Sequence, residues 1–257
     1  CKGNLIINEE KTVVSGTVKA NTFTNKGTAT VNIKLTSGTV TNNGTLTING
    51  DIEATSVEIL SGTLSIDGNK LASDKVNAIL ISESATLISM NSFTIGNNFD
   101  SNSKGTIKTE DSDYEITINT SFVGPINFDC KGNLIINEEK DVVSGTVKAK
   151  NVLNNGKLIV NEIISTELLN NIGLATVNTK LTTKEINNGE NATLNITKNA
   201  ETIDCRNFGS IIIDDTIETN ELLIKGELDN ENGTIKGKVL LTGENISTEK
   251  GEMNLGK

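Results

Sequence analysis

Two nested repeats and a near absence of proline predict an all-β chain wound as a parallel β-solenoid, a single-stranded β-helix of roughly 17–24 residues per coil. The outer repeat is literal: CKGNLIINEEKTVVSGTVKA, from Cys1 to Ala20, returns from Cys130 to Ala149 with Asp141 in place of Thr12. The inner repeat is the phrase Gly-x-apolar-x-apolar-Asn/Asp. It starts at Gly27, Gly44 and Gly62, then at Gly156 and Gly173, in degenerate form around Asn191, at Gly209 and around Gly226, in steps of 17 or 18 residues. One proline in 257 residues leaves long backbone ladders uninterrupted.

The outer repeat divides the chain into residues 1–129 and 130–257, two solenoid copies expected to form one continuous rod. Downstream of the identical stretch the frame holds: Gly27, Val31 and Asn49 return as Gly156, Val160 and Asn178. Gly105-Thr106-Ile107-Lys108 returns as Gly233-Thr234-Ile235-Lys236, and Gly124-Pro125-Ile126-Asn127-Phe128 as Gly251-Glu252-Met253-Asn254-Leu255.

Within the inner repeat, apolar residues alternate, as at Leu46 and Ile48, which is the two-residue period of a strand with one buried face. Gly and Asn bracket each run, and Asn-Gly pairs at Asn43, Asn155, Asn188 and Asn232 mark corners. The expected reason is that both residues tolerate positive φ. A sandwich of hairpins would show turn signals every ~8–12 residues. The longer period fits one full coil instead, with Gly16-Thr17-Val18 and Gly38-Thr39-Val40 on another side. Coils of this length favour a right-handed β-helix over the left-handed hexapeptide kind. Stacking at ~4.8 Å per coil gives about thirteen coils and a rod on the order of 60 Å.

Apolar residues make up 35% of the chain, which suits a solenoid because it needs a thin inward stripe. Val, Ile and Leu are expected inside, with Asn, Thr, Ser and Lys outside and like residues stacked on like. The regular alternation argues against disorder.

A net charge of −10, with no Lys/Arg cluster interleaved with aromatics, speaks against a nucleic-acid partner. No run of apolar residues is long enough to insert this segment into a membrane, and no signal peptide is recognisable in a chain that begins inside a repeat. The three cysteines occupy related phrases: Cys1-Lys2, Asp129-Cys130-Lys131 and Asp204-Cys205-Arg206. Cys1 followed by Lys also suits a lipid-modified lipoprotein terminus, but the same context around Cys130 favours a repeat position. An odd count, no CxxC pair and no histidine argue against a disulfide framework, zinc or thiol-redox chemistry.

Without histidine, the usual general base and the Ser-His and Cys-His pairs are missing. Carboxylate chemistry remains, and the best candidates are Asp214-Asp215 with Arg206 upstream, and Glu110, Asp111 and Asp113 beside Tyr114. Glycoside cleavage needs two carboxyl groups flanking one sugar, whereas successive strand residues face opposite ways. These groups therefore read as solvated turns. The expectation is a protein that is not an enzyme, with no catalytic, cofactor-binding or metal residue assigned and no cofactor. Calcium would need Asp-rich loops of the Gly-Gly-x-Gly-x-Asp type, which are absent.

Thr-x-Thr pairs at Thr28/Thr30, Thr39/Thr41 and Thr45/Thr47 resemble the flat ranks of ice-binding solenoids. Copy two interrupts them with Lys157/Ile159 and Leu174/Thr176. Asn-x-Ser/Thr sequons at Asn43, Asn119, Asn191, Asn195, Asn232 and Asn245 are expected by chance in such a composition.

The Gly-x-Leu-x-Ile-Asn phrasing at Gly3 to Asn8, Gly44 to Asn49 and Gly132 to Asn137 resembles the β-helical regions of bacterial surface proteins, especially autotransporter passenger domains and adhesins. That resemblance implies an extracellular, cell-surface, largely non-catalytic stalk, part of a longer surface protein, with a host glycan or protein as partner. Two alternatives stand beside it. One is a self-assembling fibre subunit whose partner is itself, stacked end to end by strand addition; the other is a carbohydrate-active β-helix enzyme.

Overall fold

The computed structural model describes residues 1–230 and 232–242, together with the backbone of strands Ile246–Ser247 and Glu252–Leu255. The chain is an all-β parallel β-solenoid of about 14 turns, each of about 17 residues, with almost no helix. It forms two units, Cys1–Lys131 and Gly132–Lys257.

A turn is built from three short runs whose side chains alternate in and out. In the first unit, strand Thr28–Asn42 carries all three, burying Ala29 and Val31, then Leu35 and Ser37, then Val40 and Asn42. In the second unit the same pattern buries Leu158 and Val160, Ile164 and Thr166, and Leu169 and Asn171. Four of the six inward positions are thus apolar. Each Leu, Ile or Val so buried contributes on the order of 2 kcal/mol.

Along the first run, parallel pairing stacks one turn on the next in register. In the first unit Thr12 lies beside Thr28, Thr28 beside Thr45, Thr45 beside Thr63, Thr63 beside Thr86, and Thr86 beside Thr106. In the second unit the corresponding line is Asp141, Lys157, Leu174, Thr193, Ser210 and Glu227. The literal repeat is also a literal structural repeat. Leu5 pairs with Phe23 as Leu134 does with Val152, and a register shift falls between Ser15 and Thr17 as between Ser144 and Thr146. Glu10 and Glu139 share left-handed backbone, with φ of 61° and 60°.

The first unit departs from the regular period between Thr63 and Thr86, where a one-turn helix, Gly68–Leu71, is inserted. Asp67 caps it, its carboxylate accepting from the Asn69 N–H at 3.0 Å, and Leu71 anchors it in the core.

The corner glycines recur for a different reason than expected. Among the described glycines that open the repeated phrase, Gly62 has positive φ, at 69°, and the others do not. What they share is close approach to the preceding turn. A Cβ on Gly44 would lie 2.1 Å from the Gly27 carbonyl oxygen, one on Gly173 2.0 Å from that of Gly156, and one on Gly226 1.9 Å from that of Gly209. Glycine is needed because backbone stacks directly on backbone there.

Candidate functional surface

Two of the six inward positions in a turn are polar, contrary to the expectation that Asn and Thr would all face outward. At the end of the third run, asparagines form a buried ladder. The Asn154 amide Nδ2 donates to Asn171 Oδ1 at 2.7 Å, Asn171 to Asn188 at 2.8 Å and Asn188 to Asn207 at 2.6 Å. In the first unit Asn25 donates to Asn42 at 2.8 Å. The second proton of each amide reaches a backbone carbonyl, as from Asn171 to Thr193 at 2.9 Å. Isoleucine closes each ladder: the column runs Ile7, Asn25, Asn42, Ile59 in one unit and Ile136, Asn154, Asn171, Asn188, Asn207, Ile224 in the other. Asn25 and Asn154, each preceded by isoleucine, have side-chain oxygens without a donor.

At the end of the second run sits a hydroxyl column of Thr166, Thr183, Thr202 and Thr219, with Ser37 in the first unit. Each hydroxyl lies between two carbonyls, that of Thr166 at 3.0 Å from both Lys150 O and Leu168 O. These two columns satisfy buried polar atoms and hold adjacent corners together, so they are structural.

The outward surface is ordered by the same stacking. The asparagines that end the repeated phrase pair across turns, Asn49 to Asn32 and Asn178 to Asn161, each at 2.9 Å. Lysines reach carboxylates on the neighbouring turn: Lys34 to Glu53 at 2.9 Å, Lys184 to Glu167 at 2.9 Å and Lys236 to Glu218 at 2.8 Å. The hydrogen bond from each lysine, reinforced by its charge, holds these three carboxyls below the ordinary carboxylate range.

One face stands apart. The first run of the first unit presents an unbroken outward column of threonines at 12, 28, 45, 63, 86 and 106, flanked by Val14, Thr30, Thr47, Ser65, Ile88 and Lys108. From Thr12 to Ile88 it carries no charge, in a chain with 22% charged residues. Threonines stand ~4.8 Å apart along the stack, and outward neighbours on one strand ~6.7 Å apart. A search for Thr-x-Thr pairs finds two of the six rows of this face, because Thr12, Thr63, Thr86 and Thr106 lack a threonine two residues on. In the second unit the same column mixes Asp141, Lys157 and Leu174, so the face belongs to the first unit.

The candidate carboxylates sit on corners and do not converge. Asp214 and Asp215 follow strand Ser210–Ile213 at the corner between first and second runs, with the Asn199 carboxamide donating to Asp215 at 2.8 Å. Arg206 lies on the third run and pairs with Glu185 at 3.5 Å. Asp111 accepts from the Asp113 N–H at 3.0 Å in the loop leading to Tyr114, and Glu110 pairs with Lys108 at 3.2 Å. Among the described residues no three acidic, cysteine or histidine side chains gather as a metal site would require. Cys130 and Cys205 are buried free thiols whose pKa burial pushes up to about 12, and Cys1 is exposed. Asn245, one of the sequons, lies outside the described residues. No described helix is long and apolar enough to cross a membrane.

The architecture and surface define the class as a parallel β-solenoid. No protein-family profile, curated protein or solved structure matches the chain.

Proposed function

We propose that this chain is a non-catalytic structural and adhesive β-helix stalk, a segment of a longer protein of the bacterial cell surface. The observation that carries this reading is the uncharged threonine face of the first unit. Regularly spaced hydroxyls and methyls, held by a rigid backbone, suit an extended uncharged surface such as a glycan, and rigid donors lose little entropy on binding. Elsewhere the outward Asn, Lys and Glu side chains described above are engaged with the neighbouring turn, which serves stacking. The test is a glycan and host-protein binding screen with the native protein and a T45K/T63K/T86K variant. Binding that survives high salt and is lost in the variant is expected, since the face is uncharged. Absence of any binder for the native protein, or full binding by the variant, would overturn the adhesive part.

A further inference from the structure

Five Asn-Gly pairs are described, at Asn43, Asn49, Asn155, Asn188 and Asn232, and three of them, at Asn43, Asn155 and Asn188, differ in environment in a way that bears on a reaction that needs nothing beyond water. Asn188 is fully buried; its amide donates to Asn207 Oδ1 at 2.6 Å and to Ser210 O at 2.8 Å, and its oxygen accepts from Asn171. The next N–H, that of Gly189, donates to Asn171 O at 2.9 Å. Asn43 and Asn155 are half-buried, one residue beyond the ladder residues Asn42 and Asn154. Their side-chain amides make no hydrogen bond among the described residues, and neither Gly44 nor Gly156 N–H has an acceptor there.

We propose that Asn43 and Asn155 are sites of spontaneous deamidation and isoaspartate formation, and that Asn188 is protected from it by the ladder. The backbone nitrogen of Gly44 attacks Asn43 Cγ. The new N–C bond closes a five-membered imide as the Cγ–Nδ2 bond breaks, and the proton from the Gly44 nitrogen leaves with the amide as ammonia. Water then adds to one of the two imide carbonyls, opening the ring to aspartate or, by the other cleavage, to isoaspartate. No oxidant or cofactor enters. The reaction at Asn155 uses Gly156 in the same way. Glycine suits the attacking position because it lacks a side chain to hinder ring closure, and here its N–H is not held by an acceptor. At Asn188 both partners are held: the amide would have to leave four hydrogen bonds, the weakest to Ala192 O at 3.4 Å, and the Gly189 nitrogen a fifth, before the ring could close.

The consequence is local and electrostatic. Each event adds one negative charge at a corner of a chain already at −10. The isoaspartate form also lengthens the main chain by one methylene, where Gly44 packs with its would-be Cβ 2.1 Å from Gly27 O. The corner has no slack for that insertion.

The experiment is incubation of the purified native protein in warm, mildly alkaline buffer. Fragmentation mass spectrometry would locate the amide-to-acid change. Isoaspartate would be counted by methyl transfer from S-adenosylmethionine with a protein isoaspartate methyltransferase. Conversion at Asn43 and Asn155 is expected to rise with pH and to outrun Asn188 by at least about tenfold. In denaturant the three sites should converge, since they share the Asn-Gly sequence. Asn43→Ser and Asn155→Ser, at side chains that hold nothing in place, should each abolish the signal at its own site and leave the melting curve of fresh protein unchanged. The inference is overturned if Asn188 converts in the folded protein as fast as the other two. It is equally overturned if Asn43 and Asn155 stay intact while the denatured chain converts.

Discussion

Gly173 and Gly3 are the same amino acid under opposite constraints. A Cβ on Gly173 would sit 2.0 Å from the carbonyl oxygen of Gly156, whereas a Cβ on Gly3 would meet nothing within 4 Å. Backbone on both sides of the contact cannot swing away as a side chain would, so relief requires separating two turns. Gly173→Ala is therefore expected to cost about 3 kcal/mol in denaturant melts, and Gly3→Ala less than about 0.5 kcal/mol. Equal effects would show that the corners can yield. The positions of these glycines are plain in the sequence, but their reason is not: a left-handed turn and a close approach leave the same letter. Glu10 and Glu139 show the converse. They occupy left-handed backbone with no sequence signal, since glutamate is not a residue that favours it.

At the scale of the element, the outward ion pairs join turns more than they join neighbours in sequence. Lys184 and Glu167 are 17 residues apart, and Lys236 and Glu218 are 18. In each pair the carboxyl is held below its ordinary range chiefly by the lysine hydrogen bond. A carboxyl with a lowered folded-state pKa adds stability above its unfolded-state value and loses that contribution as pH falls through the folded-state value. The melting temperature should thus hold steady from neutral pH to about pH 5 and decline below it. An E167Q/E218Q variant should melt lower at neutral pH and show a shallower decline. Because the pairs are solvent-exposed, added salt should narrow the gap between variant and parent. An identical pH slope in both proteins would remove these pairs as contributors.

At the scale of the whole molecule, the solenoid class was legible because its period is carried by glycine, and steric exclusion repeats without fail from turn to turn. The buried asparagines were not. Polarity assigns Asn to the surface, and each ladder partner lies a full coil away, beyond any local pattern. The signal that could have found them is Asn two residues before a corner glycine, as in Asn25-Lys26-Gly27, Asn171-Ile172-Gly173 and Asn207-Phe208-Gly209. The inserted helix was hidden as well, since Asp67-Gly68-Asn69 also reads as an ordinary corner. Stacking makes stability a nearest-neighbour property, so protection should grade along each unit. Amide hydrogen exchange is expected to be at least about tenfold faster in the inserted helix Gly68–Leu71, a single turn, than at Val40–Asn42, sandwiched between two strands. Uniform exchange would mean that the unit opens all at once. The asparagine ladder has a direction: in both units every Nδ2 points from the lower-numbered coil toward the higher. Such a one-way chain can be lengthened or shortened by a complete lap without leaving a bond unmade. A change of one or two letters instead faces an amide with a hydrocarbon. Inheritance of this protein should therefore tolerate duplication and loss in whole laps, and resist small slips inside one.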